Sequence, residues 1–367
     1  METTQLMDPA FWTSDRPEAP GSAFEPSQCG IEGLGGLVFF QTSGSTGEPR
    51  WIGISREALL LSAAVVNRHL RVQGDCRWGL ALPLHHVGGF GVVARAHEAG
   101  VGLSCFEGKW EASRFTTWLG TEGVSHVSLV PTQVHDLVVT GHRPPANLRA
   151  VVVGGGVLDE DTGRAARKLG WPVLASYGMT EAGSQVATQS LEVLERSYVT
   201  APIPVLSHWK VDVEEDGRLS IRGPSLFSGE LVKRNAKWRF VPRSGDGFET
   251  SDLGFLSEEG LTVTGRVDLQ VKVLGELVDP VAVEAALGLP EVVVVPLPDE
   301  RSGHRLVAVG DESMERSAVE ERVADYNREV EGFLRIHEVV PIESIPRSSL
   351  GKPKRGELAQ LLTFRGI

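Results

Sequence analysis

The sequence predicts an α/β fold: a large N-terminal domain of mainly parallel, helix-covered sheets with a β-rich subdomain, followed by a small C-terminal α+β domain. Three observations carry this expectation. Apolar strand-like runs alternate with helix-like stretches from about residue 37 to 180, short strands separated by glycine-bearing turns take over near 200, and a compact mixture of strands and helices closes the chain. With 367 residues the chain is long for one core and implies about two domains. The break falls between 1–265 and 266–367.

Taken in order, residues 1 to about 35 carry proline, glycine and acidic groups with little periodicity, and read as an irregular surface lead-in. "GLVFFQ" is a short buried strand, and "SREALLLSAAVVNRHLRV" is a helix with Ser55 as its N-cap and Leu59, Ala63, Val66 and Leu70 near helical spacing. The expected order there is strand, glycine loop, helix. "RWGLALPL", "VGLSCF", "HVSLVP", "RAVVVGGG" and "WPVLASYG" read as further strands, with "GGFGVVARAHEAG", "SRFTTWLGTEG" and "LDEDTGRAARKLG" as helices. Repeated βα units build a parallel sheet, whose ligands gather at the carboxyl ends of its strands. Beyond residue 200, "HWKVDVEEDGRLSIRG", "GELVKR" and "KWRFVPR" read as hairpin strands. The closing unit contains "LQVKVLGELVDP", the helix "VAVEAALG", the strands "EVVVVPLP" and "HRLVAVG", and the helix "SAVEERVADYNREV".

Composition narrows the function. The chain is 41% hydrophobic and 23% charged with a formal net charge of −12, which fits a soluble globular protein with small-molecule partners and disfavours nucleic acid or anionic membrane as general partners. Cys29, Cys76 and Cys105 lie far apart and form no CxxC pair, so neither a zinc site nor a disulfide framework is indicated. The N-terminus lacks the pattern of a signal peptide and no apolar run reaches membrane-spanning length, which leads to the expectation of a cytoplasmic protein with reduced thiols.

The stretch "QTSGSTGEPRW" at 41–51 asks whether the chain holds a phosphate. Thr42, Ser43, Gly44, Ser45, Thr46 and Gly47 can turn backbone N–H groups and four hydroxyls towards phosphate oxygens, and Arg50 can add a charge-assisted bond. It is not a Walker A loop, because the Gly-Lys-Ser/Thr triplet is missing. Read alone, it is equally a polar turn. It is followed in order by "PLHHVGG" at 83–89, "VVVGGG" at 151–156, "SYGMTEAG" at 176–183, "ETSDLG" at 249–254, "GRVDLQVKVLGELVDP" at 265–280 and "IPRSSLGKPKRGEL" at 345–358. This series resembles the adenylate-forming superfamily of acyl- and aryl-CoA synthetases, adenylation domains and luciferase, in its order and over most of the chain.

The resemblance implies roles. Tyr177, flanked by Ser176 and Gly178, would stack on adenine opposite the backbone of Gly154, Gly155 and Gly156. Thr180 would bond the α-phosphate and Glu181 would hold magnesium, a hard cation suited to oxygen ligands. Asp252 would accept the ribose hydroxyls, with Arg266 donating to the same sugar. Lys352 matches the C-terminal lysine that stabilises charge as a carboxylate attacks the α-phosphorus and pyrophosphate departs. Asp268 falls at the superfamily's hinge, which makes the small domain mobile. Without the motif order, these residues would read as turns, caps and solvated charges.

Within the superfamily, "SYGMTEAGSQVAT" most resembles the o-succinylbenzoate-CoA ligases of menaquinone synthesis. That resemblance implies ATP, Mg2+ and coenzyme A as cofactor and co-substrates. His86, Gly89 and Phe90 would face the aromatic ring, with Ser184, Gln185 and Thr188 nearby, and Arg95 would meet the second carboxylate of a dianionic acid. On sequence alone, the stronger reading of Arg95 is a surface base on a helix. Departures from the superfamily pattern are Arg50 for lysine, Leu269 for an acidic residue, Leu274 for the first of two glycines before Glu276, and Ser348 and Ser349 for threonine. Three readings stay open: the o-succinylbenzoate ligase, another acid–thiol ligase or carrier-loading enzyme, and a silent nucleotide-binding module. The sequence leaves both monomer and homo-oligomer open.

Overall fold

The computed structural model describes residues 3–43, 49–234, 237–312, 314–348, 351–365 and 367. Gly44, Ser45, Thr46 and Gly47 of the expected phosphate loop lie outside them. The chain divides into two compact units, the first comprising 1–213, 220–250 and 256–262 and the second 214–219, 251–255 and 263–367.

The first unit is built on the expected parallel sheet. Its strand order is Gly102–Cys105, Arg77–Leu80, His126–Leu129, Ala150–Val153, Val173–Met179 and Ser184–Thr188. The first five run parallel, and the last returns antiparallel to its neighbour. Helices Val87–Glu98, Ala112–Thr121, Pro131–Val139 and Glu160–Leu169 make the crossovers. His126–Leu129 and Ala150–Val153 are buried at every position, as central strands covered on both faces must be. Asp159 caps the helix Glu160–Leu169 by accepting from the Thr162 N–H, and Gly170 ends it in the left-handed conformation.

Two expectations are corrected. The phosphate loop does not lead from strand to helix. Leu37–Ser43 pairs antiparallel with a second strand, Pro49–Ser55, before the helix Arg56–His69 begins. The alternating "WIGIS" supplies that strand, with Trp51, Ile52 and Ile54 buried. These strands continue through Gly229–Arg234 to Lys237–Pro242 as a four-stranded sheet. Nor is the N-terminus an irregular surface strap. It forms the short helices Thr3–Met7 and Pro9–Trp12, with Leu6, Phe11 and Trp12 buried and the Trp12 indole donating to the Leu6 carbonyl at 2.8 Å.

Strands Lys210–Val213, Arg218–Arg222, Gly247–Ser257 and Gly260–Arg266 form a further four-stranded sheet in the order fourth, third, second, first. In the second unit the order is Glu276–Val278, Val271–Val273, Gly303–Asp311 and Val293–Asp299, with Ile336–Ile342 pairing parallel to Gly303–Asp311. Alternation along Val293–Asp299 buries both faces. Val294 packs with Val283, Leu287, Val323 and Tyr326, and Val293, Val295 and Leu297 pack with Leu358 and Leu362 of the helix Arg355–Phe364.

Glycine has different roles along the helix Val87–Glu98. A β-carbon on Gly89 would lie 2.3 Å from the Pro83 carbonyl oxygen, so backbone forbids a side chain there. Gly91 has no such backbone neighbour, and a glycine in a helix interior costs about 1 kcal/mol relative to alanine.

His126 is fully buried, with Nε2 3.2 Å from the Leu70 carbonyl and Nδ1 2.8 Å from the Ser125 hydroxyl oxygen. The carbonyl requires a hydrogen on Nε2, leaving Nδ1 as the acceptor of the neutral ring. Burial, with Arg149 and Arg95 repelling a further positive charge, lowers its pKa to about 4 against the opposing pull of the Leu70 carbonyl. The unfolded chain takes up this proton near pH 6.5 and the folded chain near 4, so the contribution is fully present above about pH 6.5 and is lost as pH falls. Unfolding free energy should therefore be about 2 kcal/mol lower at pH 5 than at pH 7.5 through this ring. Denaturant titrations of wild type and His126→Gln measure it, and an equal pH slope in both would refute it.

Candidate active site

The phosphate-binding candidates that the structure describes sit on the first hairpin. Thr42 opposes Arg50 across it, and the Thr42 hydroxyl is buried without a hydrogen-bond partner among the described residues. An orphaned hydroxyl at the root of this loop suits a bond to an incoming phosphate oxygen. Arg50 is already paired: its Nη1 lies 3.3 Å from Glu230 of the neighbouring strand. The sequence signal for Glu230 was absent, since the carboxylate enters from a strand 180 residues away.

The motif expected to hold adenine occupies a tight reversal. Val173–Met179 ends in the short turn Thr180–Ala182, and the chain returns as Ser184–Thr188, with a register shift between Tyr177 and Gly178. A β-carbon on Gly178 would fall 1.9 Å from the Ser184 carbonyl oxygen, so only glycine permits this closure. Gly183 is left-handed at φ 64° and Ser184 follows at φ 133°, a conformation rarely adopted by a non-glycine residue. Tyr177, Thr180 and Glu181 are thereby presented half-buried on one turn. The Phe227 N–H donates to the Glu181 carbonyl at 2.8 Å, fixing the backbone beneath that carboxylate. Ser176 donates to the Val153 carbonyl at 2.9 Å and sits against Gly154, while Gly155 takes φ 78° and Gly155 and Gly156 are exposed.

The acid-binding candidates divide. His86 stands half-buried at the N-cap of Val87–Glu98, and Gly89 is buried in its first turn. Phe90 is corrected: its ring is 0% exposed among Phe11, Trp12 and Phe40 and belongs to the core. Gln185 and Thr188 are buried and bond each other at 2.7 Å, leaving Gln185 Oε1 without a donor among the described residues.

Arg95 is not a surface base. It is 2% exposed, with Nε donating to the Gly91 carbonyl at 2.8 Å, Nη1 to the Ser128 hydroxyl at 3.3 Å, and the guanidinium lying 4.6 Å from the centroid of the Trp78 ring. Trp78 is held in turn by its indole bond to Asn67 at 3.2 Å. No carboxylate pairs with Arg95 among the described residues. Desolvation lowers its pKa to about 9, which leaves it charged at neutral pH. Trp78, Ser128 and Asn67 escaped the sequence reading because buried strand and helix residues carry no signal of what they hold.

In the second unit, Arg266 Nη1 bonds Asp252 at 2.9 Å and its Nη2 bonds Asp268 at 2.8 Å, so the expected ribose pair and the expected hinge residue share one ion-pair network. Lys352 retains solvent contact, yet surrounding protein and the Arg266 charge lower its pKa while Asp252 opposes the shift. Its backbone is set in a turn: the Ser348 N–H donates to the Lys352 carbonyl at 2.8 Å, and Arg347 donates to the Gly351 carbonyl at 2.9 Å. Directly after it, Arg355 bonds Glu284 at 2.6 Å, tying the helix Arg355–Phe364 to Pro280–Leu287. Leu274 takes φ 54° at the exposed hairpin tip, which explains why glycine suits that position.

The AMP-binding enzyme family model matches residues 36–231. The chain belongs to the AMP-binding enzyme family. Among curated proteins this AMP-binding chain is similar to the 2-succinylbenzoate–CoA ligase of Listeria monocytogenes, 27% identical over 87% of this chain and 68% of the relative. The Staphylococcus aureus enzyme of the same name is 26% identical over 93% of this chain and 70% of its own length. Among solved structures, o-succinylbenzoate CoA synthetase from Bacillus subtilis, in complex with its acyl-adenylate intermediate, superposes with a TM-score of 0.75 at 25% identity, covering 88% of this chain and 68% of that one. The same Bacillus subtilis enzyme in complex with ATP and magnesium gives 0.74 at 25% identity, covering 88% and 69%. The α/β fold expected from the sequence is the fold of these enzymes. Among the described residues no helix is long and apolar enough to cross a membrane.

Removing an uncompensated buried charge leaves no orphaned partner carboxylate. Arg95→Met in this AMP-binding chain is therefore expected to keep or raise the unfolding midpoint. Urea denaturation checks this, and a loss of about 3 kcal/mol, the size seen when a buried ion pair is broken, would make Arg95 a structural residue instead.

Proposed function

We propose that the chain is an AMP-forming acid–thiol ligase that activates o-succinylbenzoate as an acyl-adenylate and transfers it to coenzyme A in menaquinone synthesis. The observation that carries the choice of acid is Arg95, a buried cation with no counter-carboxylate among the described residues, on the helix that begins at His86. Such a group is paired by a substrate that brings a second carboxylate.

Two reactions are joined. A carboxylate oxygen of the acid attacks the α-phosphorus of ATP, the bond from that phosphorus to the bridging oxygen breaks, and pyrophosphate leaves. A thiolate sulfur then attacks the activated carbonyl and AMP leaves, the thiol proton passing to solvent. Thr42 and the loop 43–47 bind phosphate oxygens, Thr180 holds the α-phosphate, Tyr177 and the 154–156 backbone hold adenine, and Asp252 with Arg266 holds the ribose. Lys352 stabilises charge developing on the α-phosphate in the first step only. Asp268 is the proposed pivot between the steps.

A nucleotide-borne magnesium takes one or two protein carboxylates and fills its remaining positions with phosphate and water. Glu181, on its backbone-anchored turn, fits that requirement, and the ion supplies neutralisation of the triphosphate when bound. Ser184 and His86 orient the acid.

The test is pyrophosphate release with ATP, magnesium and coenzyme A on o-succinylbenzoate, benzoate, a medium-chain fatty acid and a dihydroxybenzoate. Turnover with the first alone, with its thioester identified by mass spectrometry, is expected. Another preferred acid would retain adenylation but refute the substrate, a protein-carrier requirement would refute free coenzyme A, and silence would favour a nucleotide-binding module. Lys352→Ala should slow pyrophosphate release by about a hundredfold or more while leaving thioester formation from supplied acyl-adenylate intact. Because Lys352 acts protonated and its pKa is lowered, kcat/KM for the first step should fall, as pH rises, below the ordinary lysine value of about 10.4. Loss of both half-reactions in Lys352→Ala would remove that assignment.

A further inference from the structure

Gly91 lies inside the helix Val87–Glu98, is buried, and is not among the positive-φ residues. Neither backbone conformation nor backbone crowding demands glycine, and alanine would suit the helix better. What a β-carbon there would meet is functional: Arg95 Nη2 at 3.1 Å and the Ser184 hydroxyl oxygen at 3.4 Å. Of the three guanidinium nitrogens, Nε and Nη1 are engaged by the Gly91 carbonyl and Ser128, and Nη2 has no hydrogen-bond partner among the described residues. The Ser184 hydroxyl likewise has no partner among them, and its backbone is held in the uncommon conformation at φ 133° by the turn behind it. Two unspent donors thus converge on the bare face of one helical residue.

We propose that Gly91 is a specificity-determining residue, whose missing side chain leaves Arg95 Nη2 and the Ser184 hydroxyl open to the non-reacting carboxylate of a dicarboxylic acid. The carboxylate lies over the Gly91 face, takes one charge-assisted bond from the guanidinium and one from the hydroxyl, and supplies the counter-charge that Arg95 lacks. A methyl at Gly91 stands between those donors. The bare helical position therefore selects diacids over monoacids without touching the reacting carboxyl. This inference rests on the acid-activating function proposed above.

Gly91→Ala and wild type are compared for KM and kcat of pyrophosphate release on o-succinylbenzoate and on two analogues that each lack one carboxylate, 4-oxo-4-phenylbutanoate and 2-butanoylbenzoate, alongside thermal unfolding. Expected are an unfolding temperature equal to or above wild type, kcat within about twofold, and a diacid KM raised about tenfold or more, the size of one lost charged hydrogen bond. The KM for whichever monoacid the wild type activates should not change; where neither is turned over, the KM-against-kcat split on the diacid decides. Ser184→Ala, which adds no bulk, should raise the diacid KM in the same direction. An unchanged diacid KM in both variants, or equal shifts for diacid and monoacid, overturns the inference, as does an unfolded Gly91→Ala with a wild-type-like Ser184→Ala. A wild-type chain that activates other acids but not the diacid fails the functional reading itself, an outcome distinct from variants that behave like an active wild type.

Discussion

A guanidinium taken out of water without a carboxylate beside it is the constraint around which the candidate acid-binding half of the first unit is arranged. Arg95 is buried yet charged, and its surroundings replace water piece by piece: a helix carbonyl, the Ser128 hydroxyl and the face of Trp78. Each replacement is neutral, so none cancels the charge. Positive potential is kept in a place where solvent cannot screen it, and the sheet, the helix Val87–Glu98 and the bond from Trp78 to Asn67 hold it there. Burial is the main reason His126 resists protonation, and the charges of Arg149 and then Arg95 add to it, which couples the core weakly to this cation.

Much of the fold could be read directly from the sequence because βα alternation carries strong periodicity. Asp159 and Gly170 bracket a helix whose ends were visible as residue types, and the all-apolar, mostly β-branched "AVVV" before a glycine run reads as a buried strand, as it is. The failures have physical causes. "PRWIGIS" was hidden because proline and arginine at its start look like loop, while its pairing partner supplies the hydrogen bonds that make it a strand. The N-terminal "LMDPAFW" lacks length for a periodic signal, and tertiary burial of Leu6, Phe11 and Trp12 decides its structure. Phe90 was assigned by its neighbours in a motif, whereas helix phase turns its ring into the core. Conversely, Arg95 sits in that helix with no sequence mark separating a buried cation from a solvated one, and Glu230 reaches Arg50 from a distant strand that no local pattern connects.

The second unit handles charge differently. Arg266 divides its bonds between Asp252 and Asp268, so a residue read as sugar-binding and one read as a pivot are not electrostatically independent. Lys352 experiences Arg266 as a repelling neighbour and Asp252 as an attracting one. These side chains share one network of bonds and charges, so effects of paired substitutions there will not add.

The helix Arg355–Phe364 has a further consequence. Leu358 and Leu362 close one face of the small unit's sheet over Val293, Val295, Val307 and Val309, and the Arg355–Glu284 bond pins the start of that helix only three residues after Lys352. The segment that follows Lys352, the proposed catalytic cation, is therefore also the lid of a hydrophobic core. A chain cut short before it would lose a cation and would also bare a stripe of valines on a five-stranded sheet, the kind of surface by which chains stick to one another. The proposed catalytic cation and the colloidal solubility of the small unit thus depend on the same short stretch of chain.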